Sequence, residues 1–352
     1  MFSLQKSDLP YFIAEVGQNH QGDVRLALEY VDRFQAAGAS AVKFQKRNNR
    51  YLFSEAAYEA PYTSENAFGA TYGEHREALE LSAAEMARVR DHCAERGVDF
   101  ICTPFDPPSL DELLEIGVDA LKVASFDLGN VPLLQLMGES TVPIVISTGG
   151  GAPRHLDVSI KTLRQFHDDI AVLHCVSKYP CEADDLGLLA IPALQERFPE
   201  LTVGLSDHFN GILSGPLAAS LGASVFEKHV TLNRAWKGTD HSFALEAEGF
   251  RKFVRDTLRT REMLQEAKAS DGGEPVFQKL GKSVVAARDL DAGHVLTSDS
   301  IRGLILQDNE IPIRESFWLI GRTLVEGLKS GEPLSWEMVG GEPPELLGPQ
   351  HP

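Results

Sequence analysis

The chain has 352 residues, 43% of them hydrophobic and 24% charged, with a formal net charge of −18. That length allows a large buried core and one smaller domain. The surplus of carboxylates argues against nucleic acid or an anionic membrane as partner, because phosphate-rich surfaces are held by surplus Lys and Arg.

No apolar run is long enough to cross a bilayer, and the opening residues MFSLQKSDLPYF lack the apolar stretch and small-residue cleavage site of a signal peptide. A cytoplasmic location is expected. Cys93, Cys102, Cys175 and Cys181 have no metal-knuckle spacing, and Cys102 and Cys175 sit inside apolar runs, so free thiols are expected.

In chain order, β-rich apolar runs recur at 11–15, 40–44, 98–102, 119–124, 142–147, 170–176, 201–206 and 223–230. Helical patterns lie between them. Asp23 is placed to cap the first helix, Val24, Ala27, Leu28, Val31 and Phe34 form its apolar stripe, and Gly38 can end it. Ser82 and Glu85 stand at capping-box spacing before a helix that stops at Gly97. Apolar strands alternating with amphipathic helices mean a parallel sheet covered by helices, and eight units in about 250 residues fit a closed (β/α)8 TIM barrel. An open doubly wound sheet is the alternative. The connection 45–81 is too long for a simple loop, which points to a functional excursion. After a helix at 247–265 the expected division is a barrel domain over 1–266, a linker over 267–281 and a small β-rich domain over 282–352.

Barrel enzymes build their sites at the C-terminal strand ends. Here those ends carry Glu15, Lys43, Thr103, Lys122 with Ser125, Ser147 with Thr148, Ser177, Ser206 with His208, and Glu227 with His229. A capped turn, a snorkelling lysine or a satisfied histidine explains any one of these alone. Lys43 and Lys122 lie within apolar strands, where an ammonium needs an anion: a bound carboxylate and phosphate, or Glu15 and Glu227. His208 and His229 end adjacent strands and are candidates to share a divalent cation. The STGGG run at 147–151 can offer backbone N–H groups to a phosphate. Lys46, Arg47 and Arg50 form a basic cluster that suits either a substrate phosphate or a solvated face.

The segments AEVGQNHQGD (14–23), VKFQK (42–46), PYTSENAFGATYGEH (61–75), LKVAS (121–125), GLSDH (204–208), EKHVTLNRAWKGTDHS (227–242) and KLGKSVVA (279–286) resemble the sialic acid synthases, in order and over nearly the whole chain. The resemblance implies a TIM barrel joined to an antifreeze-like (SAF) domain in a domain-swapped homodimer. It implies a reaction of phosphoenolpyruvate with an N-acylmannosamine-type sugar aldehyde or its 6-phosphate, releasing phosphate, with Mn2+ or Mg2+ polarising the aldehyde. By the same resemblance Lys43, Thr103, Lys122, Ser125, Ser147, Ser177 and Ser206 would cradle phosphoenolpyruvate, and His208 and His229 would hold the metal. Glu15 and Glu227 would place water and move protons, while Asp240, Tyr179 and Asp127 would face the sugar. The chain departs from the family pattern at Phe126, at Gly150 and Gly151, at Val176 and Lys178, and at Ile305, where an arginine is common and for which Arg302 and Arg314 are the candidate substitutes. A Schiff-base class I aldolase using Lys43 or Lys122, and a scaffold without turnover, are the competing readings.

Overall fold

The computed structural model describes residues 10–266, 274–308 and 310–341. Eight parallel strands close into a barrel in sequence order, so the open-sheet alternative is set aside. They are β1 (Tyr11–Gly17), β2 (Ala41–Lys46), β3 (Asp99–Pro104), β4 (Ala120–Val123), β5 (Ile144–Ser147), β6 (Ile170–Cys175), β7 (Thr202–Asp207) and β8 (Val225–His229). Every strand is buried on both faces, which is why the sequence shows near-continuous apolar runs in place of alternation.

The period of two along each strand explains where the chemistry sits. Inward positions near the strand starts are apolar and pack together inside the barrel: Ile13, Ala41, Ile101, Ala120, Val145, Leu173 and Val225. Two residues further along the same faces stand Glu15, Lys43, Thr103, Lys122, Ser147, Cys175 and Glu227. The pairing register sets Glu15 level with Lys43 on one side and His229 on the other, and Ser206 level with Glu227. A dry floor therefore carries one ring of polar groups at the C-terminal end.

The covering helices begin and end as their sequence signals require. Asp23 accepts from Arg25 N–H at the start of helix Val24–Ala36. Ser82 and Glu85 form a reciprocal capping box ahead of Ala83–Arg96, and Gly97 closes it at φ 68°, a conformation few side chains tolerate. The long excursion after β2 is built from short helices at Asn49–Leu52, Glu55–Tyr58 and Tyr72–Glu77. All four cysteines are free and buried. No helix among the described residues is long and apolar enough to cross a membrane.

The chain divides into two compact units, one ending at Gln265 and one starting at Glu266. Of the stretch read as a linker, 267–273 lie outside the described residues. The remainder differs from expectation, because Pro275–Leu280 is a helix whose first position is a proline, with φ already set for helical geometry. In the second unit, β9 (Ser283–Ala286) pairs antiparallel with β10 (Ile301–Leu304). Isolated bridges and glycine turns supply most of the rest, around a core that includes Val284, Leu296, Leu319, Leu324 and Leu334. The unit is thus poorer in regular strand than its sequence suggests: the turn glycines at 293, 321 and 331 interrupt each run before a ladder can extend.

Candidate active site

The polar ring opens into a cavity of about 250 Å³ at the C-terminal end of the barrel. Glu15, Lys43, Thr103, Lys122, Ser125, Ser147, Tyr179, Ser206, His208, Glu227, His229 and Asp240 line it together. Ser177 stands at its edge: a Cβ on Gly149 would come within 2.3 Å of Ser177 Oγ and 2.8 Å of Ser125 Oγ. Only glycine at 149 lets these two hydroxyls converge. Asp127 stands apart from the cavity wall and accepts from Asn130 Nδ2 at 2.8 Å.

Lys43 is the electrostatic centre. Its ammonium lies 2.7 Å from Glu15 Oε2 and 3.6 Å from Glu227 Oε2, all three groups being buried. Burial works against its charge, but the two carboxylates raise its pKa, so Lys43 stays protonated. The carboxylates differ. Burial, and after it the neighbouring Glu227, push Glu15 upward even against Lys43. Burial also penalises ionised Glu227, yet Lys43, Lys122 and the hydroxyl of Ser206, donating at 2.9 Å, bring it down to about 2. Gln45 Nε2 donates to Glu15 Oε1 at 2.7 Å and fixes its orientation.

Lys122 is 3% exposed and has no ion-pair partner among the described residues; its ammonium donates to the Val123 carbonyl at 2.9 Å. Burial lowers its pKa. Ser147 Oγ and Ser177 Oγ are buried without a hydrogen-bond partner. An unpaired ammonium beside idle hydroxyls is costly unless an anion joins them.

His208 and His229 face each other with ring centroids 5.2 Å apart. His208 Nδ1 donates to the Val176 carbonyl at 2.7 Å, which leaves the lone pair on Nε2. Burial disfavours its charged form, but the Cys175 sulfur beside it raises its pKa. His229 Nδ1 is buried without a hydrogen-bond partner, and burial holds that imidazole neutral, down to about 3. Asp240 Oδ2 lies 3.8 Å from His229 Nδ1, and the ring of Tyr179, tilted by 39°, has its centroid 4.1 Å from that of His208. Among the described residues no group of three or more His, Cys, Asp or Glu is arranged to hold an ion. Two neighbouring imidazoles, that of His229 with its Nδ1 unpartnered, nevertheless fit a divalent cation whose other positions are filled by water or substrate oxygens.

The model matching the NeuB family covers residues 30–269. The chain belongs to the NeuB family. It is 33% identical to the N-acetylneuraminate-9-phosphate synthase of Drosophila melanogaster, across 93% of this chain and 95% of that one. With the N,N'-diacetyllegionaminic acid synthase of Legionella pneumophila it shares 34% identity across 94% of each. Its structure is similar to that of an N-acetylneuraminic acid (sialic acid) synthetase from Leptospira borgpetersenii, solved with citrate, at TM-score 0.67 and 30% identity, covering 78% of this chain and 94% of that one. One of these relatives is named for a phosphorylated product and the others are not.

Some wall residues of this NeuB-family site escaped the sequence reading: Gln18, Gln45, Arg76, Phe105 and Cys175. Parity was the one signal available for Cys175, since Ala171, Leu173 and Cys175 share the inward face of β6. The basic cluster of the second loop does not hold together. Lys46 pairs with Glu112 at 3.3 Å and exposed Arg50 with Glu59 at 3.7 Å, so Arg47 alone of the three reaches the cavity. Lys178 is exposed and pairs with Asp185.

A second missed feature holds the histidines in place. Asp207 and Lys228, the neighbours of His208 and His229, pair at 2.6 Å with 0% and 1% of their side chains exposed. Ser214 Oγ also donates to Asp207. Lys228→Met leaves the Asp207 charge buried and unanswered, so it is expected to cost about 3–5 kcal/mol in urea denaturation. Asp207→Asn in the same chain should return part of that loss; a single-variant cost below about 1 kcal/mol would contradict the assignment.

Proposed function

We propose that the chain joins phosphoenolpyruvate to the aldehyde carbon of an N-acylmannosamine-type sugar, giving a nine-carbon 2-keto-3-deoxy sugar acid and inorganic phosphate. The observation that carries this reading is Lys122, a buried ammonium without a counter-ion beside the unpartnered hydroxyls of Ser147 and Ser177. Charge-assisted hydrogen bonds from such donors suit a carboxylate and a phosphate on one small molecule. Thr103, which accepts from Lys43 at 3.5 Å, and Ser125 complete the cradle.

The enol carbon of the bound substrate attacks the aldehyde, water adds to the carbon bearing the phosphate ester, and that C–O bond breaks to release phosphate. Ionised Glu227 is the group that accepts a proton from the attacking water. Glu15, the more readily protonated of the pair, supplies one to the new alkoxide. Lys43 holds both carboxylates in register and offsets the negative charge that gathers there. His208 and His229 would hold Mn2+ or Mg2+, which when bound polarises the aldehyde oxygen. Tyr179 and Asp240 face the sugar from the rim. In this reading the enzyme works in the cytoplasm as a homodimer.

The depressed pKa of Lys122 also suits a Schiff-base nucleophile, which is the second reading. Incubation with phosphoenolpyruvate and N-acetylmannosamine or its 6-phosphate separates the two. Phosphate release that requires both substrates is expected. Pyruvate fixed to Lys122 by borohydride, with no phosphate released, would reverse the assignment.

A further inference from the structure

Glu15 is aimed by a chain of contacts that begins outside the reacting centre. Gln45 Nε2 donates to Glu15 Oε1 at 2.7 Å, and Arg47 Nη2 donates to Gln45 Oε1 at 2.6 Å. A guanidinium carries donors only, whereas a side-chain amide has a donor end and an acceptor end. Arg47 therefore decides which end of Gln45 faces which neighbour: the carbonyl oxygen turns to Arg47, and the NH2 end is left for Glu15.

Arg47 is itself clamped. Its guanidinium carbon lies 3.9 Å from the Phe105 ring centroid, its Nη1 is 3.6 Å from Glu80 Oε1, and its backbone N–H donates to Glu80 Oε2 at 3.1 Å. Both side chains of that ion pair are only 9% exposed, so the pair is shielded from water and held against an aromatic face. Gln18 Nε2 donates to Glu80 Oε1 at 3.1 Å, and Arg76 Nη1 donates to Gln18 Oε1 at 2.6 Å. The excursion after β2 thus anchors the far end of the chain.

The backbone makes room for the near end. The β1–β2 register shifts between Glu15 and Gly17, and Gly17 adopts φ 56°. A Cβ there would lie 3.1 Å from Glu15 Oε1 and 3.2 Å from Gln45 Nε2, crowding the bond between them. With Gln45 on Oε1 and the Lys43 ammonium 2.7 Å from Oε2, the Glu15 carboxyl is fixed at both oxygens. Without Arg47, nothing keeps the Gln45 oxygen turned away. Turned toward Glu15, it sets two acceptors face to face, and the carboxyl must swing off its line or take a proton at Oε1.

We propose that Arg47 is a positioning residue for Glu15, acting through the Gln45 amide, whose orientation it fixes. This rests on the condensation proposed above, in which Glu15 gives a proton to the new alkoxide, and it names a further residue of the same site.

The test is a double-variant cycle on phosphate release from phosphoenolpyruvate and N-acetylmannosamine or its 6-phosphate, with Arg47→Gln, Gln45→Leu and both together. Arg47→Gln can donate or accept, so it frees the amide; kcat should fall about thirtyfold with both KM values within about threefold of the unchanged protein. The double variant should be no slower than Gln45→Leu alone, because the two residues act in series. Arg47→Lys offers donors only and keeps a charge facing Glu80, so it guards against misfolding and should retain kcat within about threefold. Losses that multiply, a loss confined to KM, or an Arg47→Lys variant as slow as Arg47→Gln would each overturn the proposal. If no sugar supports phosphate release, the condensation reading fails, and neutron diffraction from deuterium-exchanged crystals still decides the amide. Deuterons on the Gln45 atom facing Glu15 in the unchanged protein, lost from that position in Arg47→Gln, support the assignment; the same orientation in both proteins, or the reverse one in the unchanged protein, overturns it.

Discussion

Glu227→Gln is expected to lower kcat for phosphate release by about a thousandfold while the protein stays folded. The substitution keeps side-chain shape and an acceptor for the Ser206 hydroxyl, so what it removes is the charge and the proton-accepting oxygen. Lys43 keeps a partner in Glu15 at 2.7 Å, which limits the structural cost. Binding of phosphoenolpyruvate should hold or tighten, because one negative charge leaves a site that receives an anion. Acid titration gives an independent check on the same residue. Against the penalty of burial, neighbouring cations take Glu227 from its ordinary 4.5 to about 2. A carboxylate depressed on folding stabilises the fold above its ordinary pKa, and that contribution drains away as pH falls from about 4.5 toward 2. The gap in urea stability between the unchanged protein and Glu227→Gln should therefore narrow over that interval. Retention of more than about a tenth of the activity would remove Glu227 from the chemistry.

Much of this site could be read before any coordinates, for a physical reason. A strand buried on both faces must be apolar, so Lys43, Lys122 and Glu227 stand out where each interrupts such a run. Placing them at the C-terminal ends follows from parallel alternation with helices. The helix caps at Asp23 and Ser82 were equally plain, since they depend on residues within one turn. What stayed hidden depends on contacts between distant segments. Arg76 reaches the cavity from the excursion after β2, and Gln18 from the turn after β1; their pairing spans 58 residues. Lys46 and Arg50 look like partners of Arg47 in sequence, yet consecutive residues at the end of a strand point different ways, and each finds its own carboxylate. Asp127 reads as a sugar contact by motif; in the structure its Oδ1 accepts from Asn130, three residues on, and it stands outside the cavity lining, a local pairing the motif does not show. Cys175 was hidden by its chemistry, because a thiol in an apolar strand looks like any small hydrophobe.

The other large effect belongs to the histidine pair. His208→Ala is expected to weaken Mn2+ binding by about a hundredfold, read by electron paramagnetic resonance of the free ion, and to cut phosphate release by roughly a thousandfold. With only two imidazoles and no further group of His, Cys, Asp or Glu arranged to compensate among the described residues, losing one removes half of the protein's share of the shell. The fold should tolerate the change: the buried His208 ring lines the cavity, and its hydrogen bond goes to the Val176 carbonyl, which water entering the cavity can satisfy after truncation. The buried Asp207–Lys228 pair behind it is untouched. His229→Ala should behave in the same way, since its neutral ring has an Nδ1 without a partner to lose. The double variant should then add little to either single one, because two ligands of one ion act as a unit. If the two losses instead multiply, or if Mn2+ binds both variants as it binds the unchanged protein, the histidines serve the sugar and the rim, and the cation has another seat.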